Sequence, residues 1–449
     1  MSYFEARQLP ITSTKVPGVH WIFGGPRVGS FTSSTMERFP IELWEQILLK
    51  VMEMDETPIF ATSCTPYTFL HFVNQQSLNH WQQKPRHDYL ERRRGLRLVC
   101  RTWNEFVLST SHRWLALEED SSPVYKLDPT TSYANGGVGP VEKLSTVINS
   151  NEGVTPILSW VSHILKRPAS QTPLQTYILN IRRARRPGYN PLDDLVGTMT
   201  SQDPGCSNTN TNTTLRALSI TMSSTARNFI SLSQICRTFT GLRILSLINV
   251  NETPQRTLTL AHLEVLYVRF PSGALLESMG TWDVPALRHV SLEHFRMPLT
   301  GMLDRFLGRW AHQIESLWFH DFDPAHSSLL VSPLHDLPSG FWAQFAALRL
   351  LALDCKTPQC KKWSGWSVVP PPTHPCRYLV CRIFTLKESE VERQVGREVE
   401  DIRTRWTWHD GVRLVVGNTL TGQYYVVKNI RDGTSIANME KTVGILPEL

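Results

Sequence analysis

Leu242-Arg243-Ile244-Leu245-Ser246-Leu247 is followed by Leu263-Glu264-Val265-Leu266-Tyr267-Val268 and then by Leu287-Arg288-His289-Val290-Ser291-Leu292. In each hexad apolar residues hold positions one, four and six. The same spacing holds at Leu215-Leu218-Ile220, Ile314-Leu317-Phe319 and Leu348-Leu351-Leu353, so that successive starts lie 27, 21, 24, 27 and 34 residues apart. Leu174-Tyr177-Leu179 reads as a degenerate earlier member and Cys376-Leu379-Cys381 as a late one. Positions four and six are two apart, the period of a strand that turns alternate side chains to one side. A charged residue follows the first apolar position in all six central hexads: Arg216, Arg243, Glu264, Arg288, Glu315 and Arg349.

A strand-forming hexad returning at this interval matches the core of a leucine-rich repeat. One such unit cannot bury its apolar face alone, whereas stacked units can. The expectation over residues 151–385 is therefore a curved solenoid with a parallel strand ladder on its concave side. Most units lack the asparagine that usually follows the strand, so the repeats are irregular. Beyond them, Arg413-Leu-Val-Val-Gly and Gln423-Tyr-Tyr-Val-Val-Lys flank a turn-rich segment, which predicts a β-hairpin capping the solenoid within 386–449. Trp406 and Trp408 would turn to one side and help cover the open end.

Towards the N-terminus, residues 1–35 mix Pro, Gly, Ser and Thr without a sustained period and read as a mobile leader. Gly24 and Gly29 there have the spacing of a phosphate-binding loop, but Ser30 stands where the lysine should be. At Phe39-Pro40-Ile41 proline suits a first helical turn, and Leu43, Ile47, Leu48 and Val51 then fall on one face with Trp44 beside them. Residues 52–85 carry scattered aromatics and several breakers that fix no order. A second helical pattern runs from Asp88 to Leu108, with Leu96, Val99, Trp103, Phe106 and Val107 aligned, and Trp114 and Leu115 close it. Residues 121–150 are polar, with two adjacent glycines and three prolines, and read as a linker or surface loop.

The segment Phe39-Pro-Ile-Glu-Leu-Trp-Glu-Gln-Ile-Leu, with Leu96-Arg-Leu-Val-Cys-Arg-Thr-Trp-Asn and then Trp114, resembles the F-box motif. The matching positions are Pro40, Leu43, Ile47, Leu48, Val99, Cys100, Trp103 and Trp114, with Trp44 alongside. The likeness covers about 37–118 and is closest to F-box proteins abundant in fungi, in which a divergent leucine-rich region follows. It departs from them in length, because an insertion at about 52–92 separates the two helices.

The resemblance implies an α/β chain: a small helical F-box segment over 36–120, then the irregular leucine-rich-repeat solenoid with its hairpin cap. It also implies a function. Pro40, Leu43, Trp44, Ile47, Leu48, Val99, Cys100, Trp103 and Trp114 would bind a Skp-type adaptor and, through it, a cullin scaffold, while the repeats take an unknown target protein. The chain would then be the substrate-recognition subunit of an SCF-type ubiquitin ligase. The rival reading is a leucine-rich-repeat interaction scaffold that recruits no ligase.

Other chemistry finds little footing. There is no G-x-S-x-G, H-E-x-x-H or dinucleotide glycine fingerprint, so neither an enzyme nor a cofactor is expected. Cys355, Cys360, His374, Cys376 and Cys381 are the nearest approach to a zinc set, but they lack the tight C-x₂-C pairs that structural zinc favours. The eight cysteines are sparse for the length and fit a reduced compartment, cytoplasmic or nuclear. The Arg182-Arg183-Ala-Arg185-Arg186 run could serve nuclear import or a phosphate contact. The net charge of +6 is spread thinly, and no basic patch interleaved with aromatics points to nucleic acid. No apolar run is long enough to cross a bilayer.

Overall fold

A strand with few exposed polar residues in its run can be covered on both sides, and such strands, buried at every position over Ile244–Ile248, Val265–Arg269 and His289–Glu293, dominate the computed structural model of this chain. It describes residues 43, 46–48, 64–66, 68–70, 72, 73, 95, 96, 98, 99, 101–103, 114–118, 143–148, 161, 174–181, 214–222, 229, 230, 232, 235, 238–252, 258–293, 307–320, 340–354, 369–383, 411–418, 424–427 and 439–442. Two compact units divide the chain, Met1–Met54 and Asp55–Leu449.

The strands in chain order are β1 (Trp114–Glu118), β2 (Lys143–Ile148), β3 (Thr176–Ile181), β4 (Ala217–Met222), β5 (Phe229–Ile230), β6 (Ile244–Ile248), β7 (Asn251–Glu252), β8 (Val265–Arg269), β9 (His289–Glu293), β10 (Ser316–His320), β11 (Leu350–Asp354), β12 (Tyr378–Ile383), β13 (Arg413–Asn418), β14 (Tyr424–Val427) and β15 (Met439–Thr442). β5 and β7 form a small parallel pair of their own. The other thirteen make one sheet in chain order, parallel from β1 to β13 and antiparallel from β13 to β15.

The hexads set its register. Tyr177, Leu218, Leu245, Leu266, Val290, Leu317, Leu351 and Leu379 stand opposite one another in one row, and the residues two further on stand in the next. Both rows point to the first face. There they meet Leu275, Leu276 and Met279 of helix α1 (Gly273–Met279), Trp310 of α2 (Gly308–Trp310) and Phe341 of α3 (Phe341–Gln344) in one continuous core. Helix α1 starts where the Ser272 hydroxyl accepts the Leu275 N–H at 3.1 Å, which satisfies one donor of the first turn.

The second face is buried as well. Ile244, Val265, Tyr267, Trp318, Leu350, Tyr378, Val380 and Val415 form a separate apolar cluster with Phe69, Leu70, Phe72 and Val73. This corrects the expected architecture. The described residues do not form a helical F-box domain followed by a leucine-rich-repeat solenoid with a hairpin cap; they form a large, mostly parallel sheet with few short helices. The hexad pattern specifies only the first face, and the intervening positions are what allow the second to be filled.

Three further expectations change. Within 36–120 the described helical residues are fragments, and Trp114 opens the sheet as the first residue of β1. Lys143–Ile148, read as linker, is β2, because Leu144, Thr146 and Ile148 alternate inward beside a proline-rich and glycine-rich approach that masks the period. The β13–β14 pair continues the main sheet through the parallel contact of β13 with β12, so it is no separate cap.

Candidate functional site

Leu43 and Ile47 share a helical face by their i, i+4 spacing, and each is 44% exposed, whereas Leu48 is buried at 2%. The expected adaptor stripe is thus split, with Leu48 sealed by the chain itself. Val99 lies in a tight turn whose N–H donates to the Leu96 carbonyl at 3.2 Å, and it is 51% exposed beside Leu98 at 79%. Trp103 is helical and partly buried. Pro40, Trp44 and Cys100 lie outside the described residues, as do Cys355, Cys360 and the Arg182–Arg186 run. Of the five large hydrophobic side chains that stand exposed among the described residues, four are Leu43, Ile47, Leu98 and Val99; the fifth is Phe270.

The charged residues of the hexads come together at the strand starts. Backbone bonds link them in sequence, from Arg216 N to Gln175 O at 2.8 Å through to Arg377 N to Arg349 O at 3.0 Å. Side chains pair along this row: Arg243 grips Glu264 through two hydrogen bonds of 2.8 and 2.7 Å, and Glu315 lies 3.7 Å from Arg288 and 4.0 Å from Arg349. From Arg243 to Arg349 the signs alternate on adjacent strands, which favours this one register.

The second face holds a polar patch whose members no sequence spacing joins as a unit. Thr65 and Thr68 cap each other: Thr65 N–H donates to Thr68 Oγ1 at 2.8 Å and Thr68 N–H donates to Thr65 Oγ1 at 3.2 Å. With Pro66 in the first turn, this reciprocal cap starts a helical segment inside the supposed insertion. The Thr-Pro-x-Thr run was the signal that could have located it. The segment stacks Phe69 on His289 at 5.4 Å between ring centroids and sets Phe72 edge-on to Tyr267 at 6.1 Å.

His289 Nε2–H donates to the Cys64 carbonyl at 3.0 Å, which leaves Nδ1 as an acceptor. Burial pushes its pKa down to about 4, opposed by the Cys64 carbonyl and Glu264, so the ring is neutral near pH 7. Burial likewise pushes the Cys64 thiol up to about 12, partly offset by the Thr68 hydroxyl, so it is no nucleophile. At the other end of β8 and β9 Arg269 Nε lies 3.5 Å from Glu293 Oε2, with side chains only 8% and 0% exposed. The hydroxyls of Ser246, Ser291 and Ser316 and the His289 Nδ1 are buried without a hydrogen-bond partner among the described residues. Each such group costs about 1–3 kcal/mol relative to a satisfied one.

The C-terminal cysteine-histidine group is structural in its described part. His374 Nε2–H donates to the Phe345 carbonyl at 3.1 Å while Nδ1 accepts the Cys376 N–H at 3.1 Å, and both ring nitrogens are thereby used. Burial raises the Cys376 thiol to about 12. Among the described residues no three His, Cys, Asp or Glu side chains gather as metal ligands, and no helix is long and apolar enough to cross a membrane.

No protein family matches the chain, and no curated protein is similar to it.

Proposed function

We propose that this chain is the substrate-recognition subunit of an SCF-type ubiquitin ligase, a non-enzymatic adaptor of the cytoplasm or nucleus. A Skp-type adaptor binds through F-box-like residues, Leu43 and Ile47 first among them, and connects to a cullin scaffold, and the sheet unit receives a target protein. One observation carries the reading: of the five large hydrophobics exposed among the described residues, four fall in the stretches that resemble the F-box. Apolar side chains so placed are normally covered by a partner. The contribution to the reaction is proximity, because a tethered target meets the ligase's catalytic partners at raised effective concentration.

The test is co-purification of the full chain with a Skp-type adaptor, followed by the Leu43→Ala/Ile47→Ala double variant. Two truncated anchors remove about 2–4 kcal/mol of binding, a loss of roughly 30- to 1,000-fold in affinity. Both side chains are already nearly half-exposed, so the unfolding temperature should hold. Unchanged adaptor affinity would refute the assignment.

A further inference from the structure

The occupant of the polar patch on the second sheet face is poorly matched to it. Phe69 and Phe72 supply ring area to His289 and Tyr267, yet a phenyl ring offers neither a donor nor an acceptor to the groups around them. Ser246 and Ser291 flank Tyr267 in one register row, and Ser316 stands directly opposite His289. Their exposures are 1%, 0% and 0%, and their hydroxyls have no partner among the described residues. A face shaped only to be filled by two phenyl rings is better served by alanine or valine at these positions, which bury no polar atom. The segment that fills it is one short helical turn or two; among the described residues it is held by a hydrogen bond from His289, by the two ring contacts and by burial of Leu70 and Val73 in the apolar cluster of that face.

We propose that this patch is a recognition surface and that the segment around Phe69 and Phe72 occupies it in cis as a stand-in. The partner that replaces it is a short helical segment of the target protein with two aromatic side chains one turn apart. That segment also brings amide or hydroxyl groups that pair with the three serines and with His289 Nδ1. The inference rests on the adaptor reading for the identity of the occupant as a target. It gives the insertion a role: the chain's own segment shields the patch until a better-matched one arrives, which sets a threshold on target affinity.

The probe is a fluorescent synthetic peptide of this chain's own residues 60–77, titrated into the full chain and into its Phe69→Ser/Phe72→Ser variant. The variant should bind the peptide saturably and the unaltered chain at least about tenfold more weakly, because its own segment competes. A peptide carrying the same two replacements should bind neither. A folded variant that ignores the unaltered peptide overturns the proposal, since the patch is then ordinary core. Should the variant fail to fold, hydrogen exchange on the unaltered chain decides. Amides of residues 64–73 exchanging at least about a hundredfold faster than those of β8 to β10 support a displaceable segment, and equal rates overturn it. Adaptor co-purification and peptide binding are separate measurements, so either reading can fail while the other stands.

Discussion

Buried polar side chains carry the sharpest consequences at the scale of single residues. His289 has a folded-state pKa of about 4, below the ordinary value of 6.5, so the unfolded chain binds more protons between those two values. Stability from the neutral ring is therefore fully present above about pH 6.5 and is lost as pH falls towards about 4, amounting to about 3 kcal/mol at most. His374, also lowered by burial, acts in the same direction. Urea unfolding of His289→Gln against the unaltered chain at pH 7.5 and 5 should show the variant losing less stability on acidification. An identical loss would mean that the ring is not held neutral in the fold. The Arg269–Glu293 pair makes a second case, because removing one partner strands a charge at 8% or 0% exposure. Glu293→Gln should destabilise by about 3–5 kcal/mol, and the double variant Arg269→Met/Glu293→Leu should recover much of it. Chemical denaturation of the three variants checks this.

Among elements, the short helix starting at Thr65 depends on its reciprocal cap. Thr65→Ala removes the hydroxyl that accepts the Thr68 N–H and touches the Thr68 hydroxyl, while the bond from the Thr65 N–H to Thr68 Oγ1 remains; it should cost about 1 kcal/mol, and Thr65→Ser should cost less. Fluorescence-detected unfolding of the two variants separates the cap from a general packing loss. The strands needed no such device to be legible. Leu242-Leu245-Leu247 placed β6, and Leu287-Val290-Leu292 placed β9, because alternation records which side chains face a core. At Lys143–Ile148 the surrounding proline and glycine outweigh a short period, which hides β2 from a reading by composition. Asn249 and Phe270, which leave β6 and β8 with φ of 54° and 51°, carry no signal that sequence spacing can show.

For the whole molecule, the continuous row from Tyr177 to Leu379 makes each central strand dependent on its neighbours. Leu317 is fully buried between Val290 and Leu351 in that row. Leu317→Ala should cost about 2–5 kcal/mol and lower the unfolding temperature of the sheet, as calorimetry can measure. A shift within the range of surface substitutions would show that the row does not hold the sheet together. Leu43→Ala/Ile47→Ala, by contrast, is expected to act on adaptor capture and leave that transition in place.

The sequence by itself determined the hexad strands from β3 to β12, the β13–β14 hairpin and the apolar residues of the first face, since a period of two is a local property of the chain. It also marked Leu43, Ile47 and Val99 as candidates for a partner. Only the tertiary structure decided that the second face is closed, that residues near Phe69 lie on it, and that Ser246, His289, Ser291 and Ser316 form one patch. These residues are far apart in the chain, and parallel register alone brings them within reach. Burial is a property of what lies opposite, and no local pattern encodes that.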